Sequence, residues 1–593
     1  MRHLKENTAP TGVRKMYSDA TEWLDESSHA QRLVLSFALA LLICAPFCLG
    51  TAEPLTDDDY SVAFYLSNLI PGQGLCLFIN ALLSNLIFGL STVAPQVSWF
   101  FIVEKTSAFL AIWALVFASL SYVYAPAGFL MVSFTVRFCL THCLVASNIT
   151  YVAGLASAVG TLYLVAGALN DRMGIPSRVI GVLFLTLGLL WREEMFLACI
   201  PFLALGLFGR LLQEGVSRKN ILSCVGVACL VVLACGAAVA VDRFEWRADG
   251  WREWREYNSP RARISDYPMP TWEDASEDLQ AIGLSENDYR MMRLWATADT
   301  DVFDTETLGK VADLHLPTIK SGSSLPTLAK SYARDMASRR RFFVPVLLAF
   351  VLSCAYRKRG TLAQLAALAA TLCMCVYFLL VNRLVDRVET PVWLFAFAVI
   401  VGLAGLLPRE DRDEAKPLRA LRCLLSLAAV AVCLHGIVMP IRWIWPSMSL
   451  RNVELELDQR KYQPEGPLST YIVEHPDNNF VLSILEADHF EGEHLYLYQP
   501  EPSVARRVML LGGWGVCAPC RFEQAQLAGG SNAMTTLIAT NPSLLIADDG
   551  VAHDVLTYLQ EHYDPKATMV CVDTIDEDVG VWRYTAAVTD KDA

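Results

Sequence analysis

Charge is what this sequence is short of. Of its 593 residues only 18% are Asp, Glu, Lys or Arg, while 54% are hydrophobic; soluble domains carry about a quarter charged residues. That shortage excludes an ordinary soluble protein of this length. A basic excess is also missing, since 48 Lys and Arg face 61 Asp and Glu, which argues against nucleic acid as a partner. No heptad, solenoid period or low-complexity tract occurs. No small-residue cleavage pattern follows the first apolar run, so that run reads as a retained span rather than a signal peptide.

Apolar runs stand where charge is missing. Those at 30–50, 97–124, 127–146, 147–169, 177–192, 194–213, 220–241, 341–356, 362–382, 390–408 and 420–441 predict a mainly α, polytopic membrane protein of about 11 spans. The run 74–92 contains Asn80, Ser84 and Asn85 and is expected to lie along the outer interface. With the N-terminus inside, the short inner loops carry Arg172, then Arg218 and Lys219, then Arg357, Lys358 and Arg359, and last Arg409, Arg412, Lys416 and Arg419. This is the positive-inside bias. Arg339, Arg340 and Arg341 fall on the other side, ending a loop too long to obey it.

The division expected is a cytoplasmic leader at 1–29, a transmembrane body at 30–441 with outer loops 51–96 and 242–340, and an extracytoplasmic soluble domain at 442–593. From Leu450 onward 23 acidic residues face 9 basic ones, so the tail carries the net charge. The stretches "NNFVLSIL", "RRVMLLGGW", "PSLLIADD" and "ATMVCVDT" read as strands and "VAHDVLTYLQEHY" as an amphipathic helix. That order predicts a small α/β domain with a mostly parallel sheet.

The sharpest chemical feature lies in "TAEPLTDDDYSVAFYL", where Asp57, Asp58 and Asp59 follow the first span. Such a cluster is either a solvated loop or a set of carboxylates for general-base work or for a divalent cation, Mg²⁺ or Mn²⁺. Arg192, Glu193 and Glu194 sit between two apolar runs, where ionisable groups are expensive and usually paired; the alternative is a solvated hairpin with a snorkelling arginine. "WREWREYNSPRARISDYP" combines Trp251, Trp254 and Tyr257 with Arg261, Arg263 and Asp266. Those rings stack on sugars or rest in the interface, and those arginines suit phosphate. Arg383 and Arg387 add basic groups to the same face. Glu104, Lys105, Arg137 and His142 are further ionisables within spans, with Glu104 and Lys105 expected to pair with other helices. Most of the 17 cysteines lie in apolar runs as small buried hydrophobes. Cys517 and Cys520 form a Cys-x-x-Cys, read as a possible short disulfide or, less readily, a redox pair.

The first span, the Asp-Asp opening of the next loop, the many short-looped spans and the terminal soluble region together resemble the GT-C class of membrane glycosyltransferases. "DDY", "NITY", "WREE" and "YNSPRARISDYP…IGLSENDY" occur in this order in large bacterial membrane families of that kind. The "WWDYG" motif of the oligosaccharyltransferase branch is absent. The resemblance implies a bacterial cell-membrane enzyme taking a sugar from a polyprenyl-phosphate donor. The acceptor would be a hydroxyl of an envelope glycan, lipid or protein, whose oxygen attacks the anomeric carbon with inversion. It implies Asp58 or Asp59 as base with Asp57 as helper or metal ligand. Arg192, Arg261, Arg263, Arg383 and Arg387 would meet the donor phosphate, with Glu193 and Glu194 in support. The alternative class is a transporter, flippase or envelope-assembly scaffold with an outer sensing domain.

Overall fold

The computed structural model describes residues 26–48, 53–54, 57–68, 74–95, 97–122, 125–139, 143–144, 146–169, 174–315, 340–356, 360–381, 383–404, 467–482, 506–538, 543–547, 551–575 and 579–586, with scattered positions in 326–334 and 424–438. The apolar runs form helices because backbone in hydrocarbon must satisfy its own N–H and C=O groups. In chain order they are α1 (His29–Cys48), α2 (Asp57–Leu66), α3 (Ala81–Val93), α4 (Trp99–Ser121), α5 (Ala125–Cys139), α6 (Ile149–Gly167), α7 (Gly174–Trp191), α8 (Glu193–Glu214) and α9 (Arg218–Glu245). Shorter, more polar helices follow: α10 (Trp251–Asp266), α11 (Trp272–Ile282), α12 (Glu286–Arg293) and α13 (Thr305–Asp313). The apolar body resumes with α14 (Arg340–Tyr356), α15 (Thr361–Leu380) and α16 (Asp386–Ala404).

Among the described residues, seven helices (α4, α6, α7, α8, α9, α15 and α16) are long and apolar enough to cross a membrane, and α1, α3 and α14 contain shorter apolar stretches. The chain is a multi-pass membrane protein. The run expected at 127–146 is a helix of 15 residues. Of the one expected at 420–441 only scattered positions are described. α3 has 13 residues, about 20 Å of rise against the about 30 Å of a hydrocarbon core.

α6 is enclosed by protein along its whole length, and α16 over most of its own. Lipid supplies no hydrophobic drive between helices, so small residues allow the close contacts that do. A side chain on Gly160 of α6 would strike the Gly181 carbonyl and Leu185 of α7. Enclosure also leaves the first N–H groups of α6 inside the protein, where they require acceptors.

In the tail, α17 (Pro467–Glu474), α18 (Pro519–Leu527), α19 (Ala533–Ile538) and α20 (Ala552–His562) accompany a five-stranded sheet. Its strands are β3 (Asn479–Leu482), β4 (Val508–Leu510), β5 (Ser543–Ala547), β6 (Thr568–Ile575) and β7 (Val579–Thr585), in the order β4-β3-β5-β7-β6. β3 is parallel to β4 and β5, but β7 is antiparallel to both β5 and β6. The mostly parallel sheet expected from sequence is therefore mixed. "VGVWRYT" returns directly beside "TMVCVDTI", too short a connection for a parallel crossover.

Candidate functional site

The site begins with two short strands. β1 (Glu53–Pro54) runs parallel to β2 (Ala146–Ser147), with Glu53 opposite Ala146 and Pro54 opposite Ser147. This pairing lays the first loop against the lead-in to α6, and Asp59, in the first turn of α2, meets the α6 N-terminus. Asp59 is 1% exposed. One of its oxygens accepts from Asn148 Nδ2 at 2.8 Å and the other from the Ile149 amide at 3.2 Å. Asn148 is itself the α6 cap, its Oδ1 accepting from the Thr150 amide at 3.0 Å. A carboxylate here complements the partial positive charge of the helix end. The side chains of Asp57 and Asp58 lie outside the described residues.

The next two residues of α6 recruit the rest. Arg192, the residue preceding α8, donates from Nη1 to Thr150 Oγ1 at 3.1 Å and stays 29% exposed. The Tyr151 hydroxyl donates to Asp386, the first residue of α16, at 3.2 Å. Glu104 from α4 also faces this corner, its buried carboxyl meeting the Asn148 backbone. Four consecutive residues, Asn148 to Tyr151, thus gather Asp59, Glu104, Arg192 and Asp386. In sequence this "NITY" stretch carries no chemistry of its own. The available signal was an N-cap asparagine ahead of an otherwise apolar helix.

Other expected site residues separate into two groups. Glu194 lies 3.5 Å from Arg192, and Glu193 pairs with Arg243 at 3.3 Å. Arg387 is half-buried on α16 beside Asp386. Arg263, by contrast, donates to Asp313 at 2.8 Å and to the Ala312 carbonyl, Arg383 binds Asp266 at 2.7 Å, and Arg261 reaches Asn258 at 2.8 Å. Those three arginines are tied into the polar helices. Glu104 and Lys105, expected to look elsewhere for partners, approach each other to 3.7 Å while Lys105 Nζ also donates to the Cys143 carbonyl. The side chains of Arg137 and His142 lie outside the described residues.

The aromatic residues of α10 are covered by the tail. Trp254 is fully buried and donates to the Trp514 carbonyl at 2.8 Å, and its ring lies 6.1 Å from that of Trp514. The buried Tyr257 donates to the Thr297 carbonyl at 2.9 Å. Trp251 packs at the edge, 5.7 Å from Trp254. The open surface on which a sugar would stack is occupied by "GGWG". Cys517 and Cys520 are both buried. Cys517 turns to the Tyr257 hydroxyl, while Cys520 lies in the first turn of α18, and burial pushes both thiols up to about 12. Thiols so hard to ionise are poor redox nucleophiles.

A second contact joins the tail to the polar helices. Asp299 accepts from Tyr558 at 2.8 Å and from Tyr563, Arg290 meets Asp554 at 3.1 Å, and His562 meets Asp288 at 2.8 Å. Burial alone would lower the His562 pKa, but the Asp288 carboxylate, with Glu561 and Asp299 behind it, outweighs burial and raises it above 6.5. The pair is accordingly at full strength below the ordinary histidine value and is lost as pH rises through the raised one. Tail docking, read by protease susceptibility, is expected to loosen as pH rises above the ordinary histidine range. His562→Gln should abolish that trend; the same trend in the variant would contradict the assignment. Asp288, Glu561 and His562 also bring ligand atoms within 4.8 Å of one another, but at this contact rather than beside Asp59.

No family model matches the chain, and no curated protein matches it. Over nearly its whole length the chain is similar to ArnT from Cupriavidus metallidurans. Against the crystal structure of ArnT bound to undecaprenyl phosphate the identity is 12% and the TM-score 0.40, covering 93% of this chain and 97% of that one. Against apo ArnT the identity is 11% and the TM-score again 0.40, covering 94% and 98%. Likeness at this level decides nothing about chemistry, which has to come from the residues around Asn148.

Proposed function

We propose that this protein is a glycosyltransferase of the GT-C kind, moving a sugar from a polyprenyl-phosphate donor to a hydroxyl acceptor on the outer face of a bacterial membrane. The observation that carries the reading is the convergence of an acidic helix start and an arginine on one enclosed helix N-terminus. Deprotonating a hydroxyl requires a carboxylate base, and a departing phosphate requires positive charge. Both requirements meet within the four residues Asn148–Tyr151. The membrane body suits a donor whose chain remains in lipid.

Within the aspartate triplet the roles divide. Asp59 is buried, with both oxygens engaged by N–H donors, so it anchors α2 to α6 and has no opening toward a bulky acceptor. The base is therefore assigned to Asp58, with Asp57 as helper. Asp58 takes the proton of the acceptor hydroxyl, whose oxygen bonds to the anomeric carbon from the face opposite the phosphate. The bond from that carbon to the phosphate oxygen breaks with its electron pair, and the product is inverted. Arg192, still partly exposed, balances the phosphate's charge, with Arg387 beside Asp386 as its second cation. Arg261, Arg263 and Arg383, each held by a protein acceptor, support the polar helices instead.

A divalent cation, Mg²⁺ or Mn²⁺, does not fit Asp59, whose oxygens are taken by Asn148 and Ile149; Asp57 and Asp58 would have to hold it. The arginine-based reading expects transfer to survive EDTA, and loss restored by Mn²⁺ would put a cation at the triplet. The reading itself is tested with full-length protein in lipid discs and a panel of radiolabelled polyprenyl-phosphate hexoses and pentoses. Label leaving the lipid for an acceptor supports it. Solute uptake into vesicles that survives replacement of all three aspartates, with no transfer from any donor, would replace it with a transporter.

A further inference from the structure

The tail reaches the same helix that carries the aspartates. α2 has ten residues, and its two ends are held by different parts of the chain. At the start, Asp59 is fixed to α6. Toward the end, Tyr65 is fully buried, and its hydroxyl accepts from Arg521 Nε at 3.0 Å. Arg521 belongs to α18, is 5% exposed, and also donates to the Val508 carbonyl and Gln524 at 2.8 and 2.7 Å. Its guanidinium lies 5.0 Å from the Tyr65 ring centre and 5.8 Å from that of Phe64.

The fit around this contact is close. Trp514 packs 4.8 Å from Tyr65 and 5.0 Å from Phe78, joining the tail to α2 and to the segment before α3. A Cβ on Gly515 would fall on the Tyr65 hydroxyl, and one on Gly512 on the Trp295 carbonyl. Trp295 itself adopts φ 66° and accepts from the Gly513 amide at 3.1 Å. A bulky residue in the left-handed region is held there only by surroundings that insist on it. Burial pushes the Tyr65 hydroxyl up to about 12, so it meets Arg521 as a neutral phenol. The guanidinium is held in place by three hydrogen bonds to neutral acceptors and by the Tyr65 and Phe64 ring faces, so its position is tied to that of α2.

Tyr65 lies six positions after Asp59, about 9 Å of helix and most of two turns, so the two point in different directions. One side of α2 is held by the membrane body and another by the tail. We propose that Arg521 is a positioning residue: through Tyr65 it fixes α2, and with it the aspartates at the other end of that helix. The tail then acts as a clamp on the transfer site rather than as an independent recognition module. The part concerning transfer rests on the function proposed above; the mechanical part does not.

The test uses full-length protein in lipid discs, with Arg521→Leu and the milder Tyr65→Phe, which keeps the ring and removes the acceptor. Hydrogen exchange is measured first, with no donor present. Amides of 57–66 and 146–151 are expected to exchange about tenfold faster in either variant, while α15 is unchanged. Transfer kinetics follow, using the polyprenyl-phosphate sugar that wild type consumes. A positioning role predicts kcat down about tenfold with donor KM within about twofold, and no further loss when the two substitutions are combined. Unchanged exchange over 57–66 in Tyr65→Phe, or in a folded Arg521→Leu, overturns the clamp. Absence of transfer in wild type overturns the proposed function instead, and the exchange result still decides the coupling.

Discussion

Asp58→Asn is expected to lower kcat by about a thousandfold, the range a single general base supplies, and to leave the thermal midpoint of the protein where it was. Asp59→Asn should behave differently. Its carboxylate accepts from Asn148 Nδ2 and from the Ile149 amide in a buried corner, and an amide can offer only one acceptor oxygen there. One donor then meets an N–H, and leaving a buried donor unsatisfied costs about 1–3 kcal/mol. Asp59→Asn should therefore lose both stability and activity. Kinetics and thermal unfolding of the two variants side by side separate base from anchor. A large fall in kcat for Asp59→Asn without any loss of stability, beside an active Asp58→Asn, would reverse the assignment.

Arg192→Gln is the second large effect. Arg192 reaches Thr150 with one nitrogen and Glu194 with another while remaining partly exposed, so it retains capacity for a phosphate oxygen. Losing a charge-assisted donor to a departing anion costs about a hundredfold or more in kcat. Arg263→Gln is the matched control, because its Nη2 bonds to Asp313 and the Ala312 carbonyl among the polar helices, whereas Arg192 bonds to Thr150 of α6; its transfer rate should stay within about threefold of wild type. Equal losses in the two variants, measured in one transfer assay, would mean that the arginines act on the fold and not on the donor.

The membrane body was legible because the bilayer imposes it. A run of about twenty apolar residues has few ways to satisfy its backbone other than as a helix, and α4, α6, α7, α8, α9, α15 and α16 sit where those runs are. The aspartate triplet was visible from its place beside a span, and four of the tail's strands as short apolar stretches between polar ones. Less accessible was anything set by contacts between distant parts of the chain. Trp254 and Tyr257 look like surface rings in sequence, but their cover, Trp514 and Cys517, arrives some 260 residues later. The antiparallel return of β7 is likewise set by its pairing with β5 and β6. Which aspartate anchors α2 depends on its contact with Asn148, which is made only when β1 is laid beside β2.

Arg521 is a case of a different kind. In sequence it is one basic residue after a Cys-x-x-Cys, and the cysteines draw the attention. In the fold the cysteines are buried, and the arginine beside them makes the long-range contact with Tyr65. The glycines of "GGWG" have a steric role: they let the tail come close enough to touch α2 and Trp295.

The measurement that bears most directly on the central claim is the anomeric configuration of the product, made by wild type and by Asp58→Asn in lipid discs from a panel of radiolabelled polyprenyl-phosphate sugars. A single displacement with a carboxylate base predicts label on an acceptor hydroxyl, inverted relative to the donor, and almost none in Asp58→Asn. Retention of configuration, or equal transfer by Asp58→Asn, would contradict it.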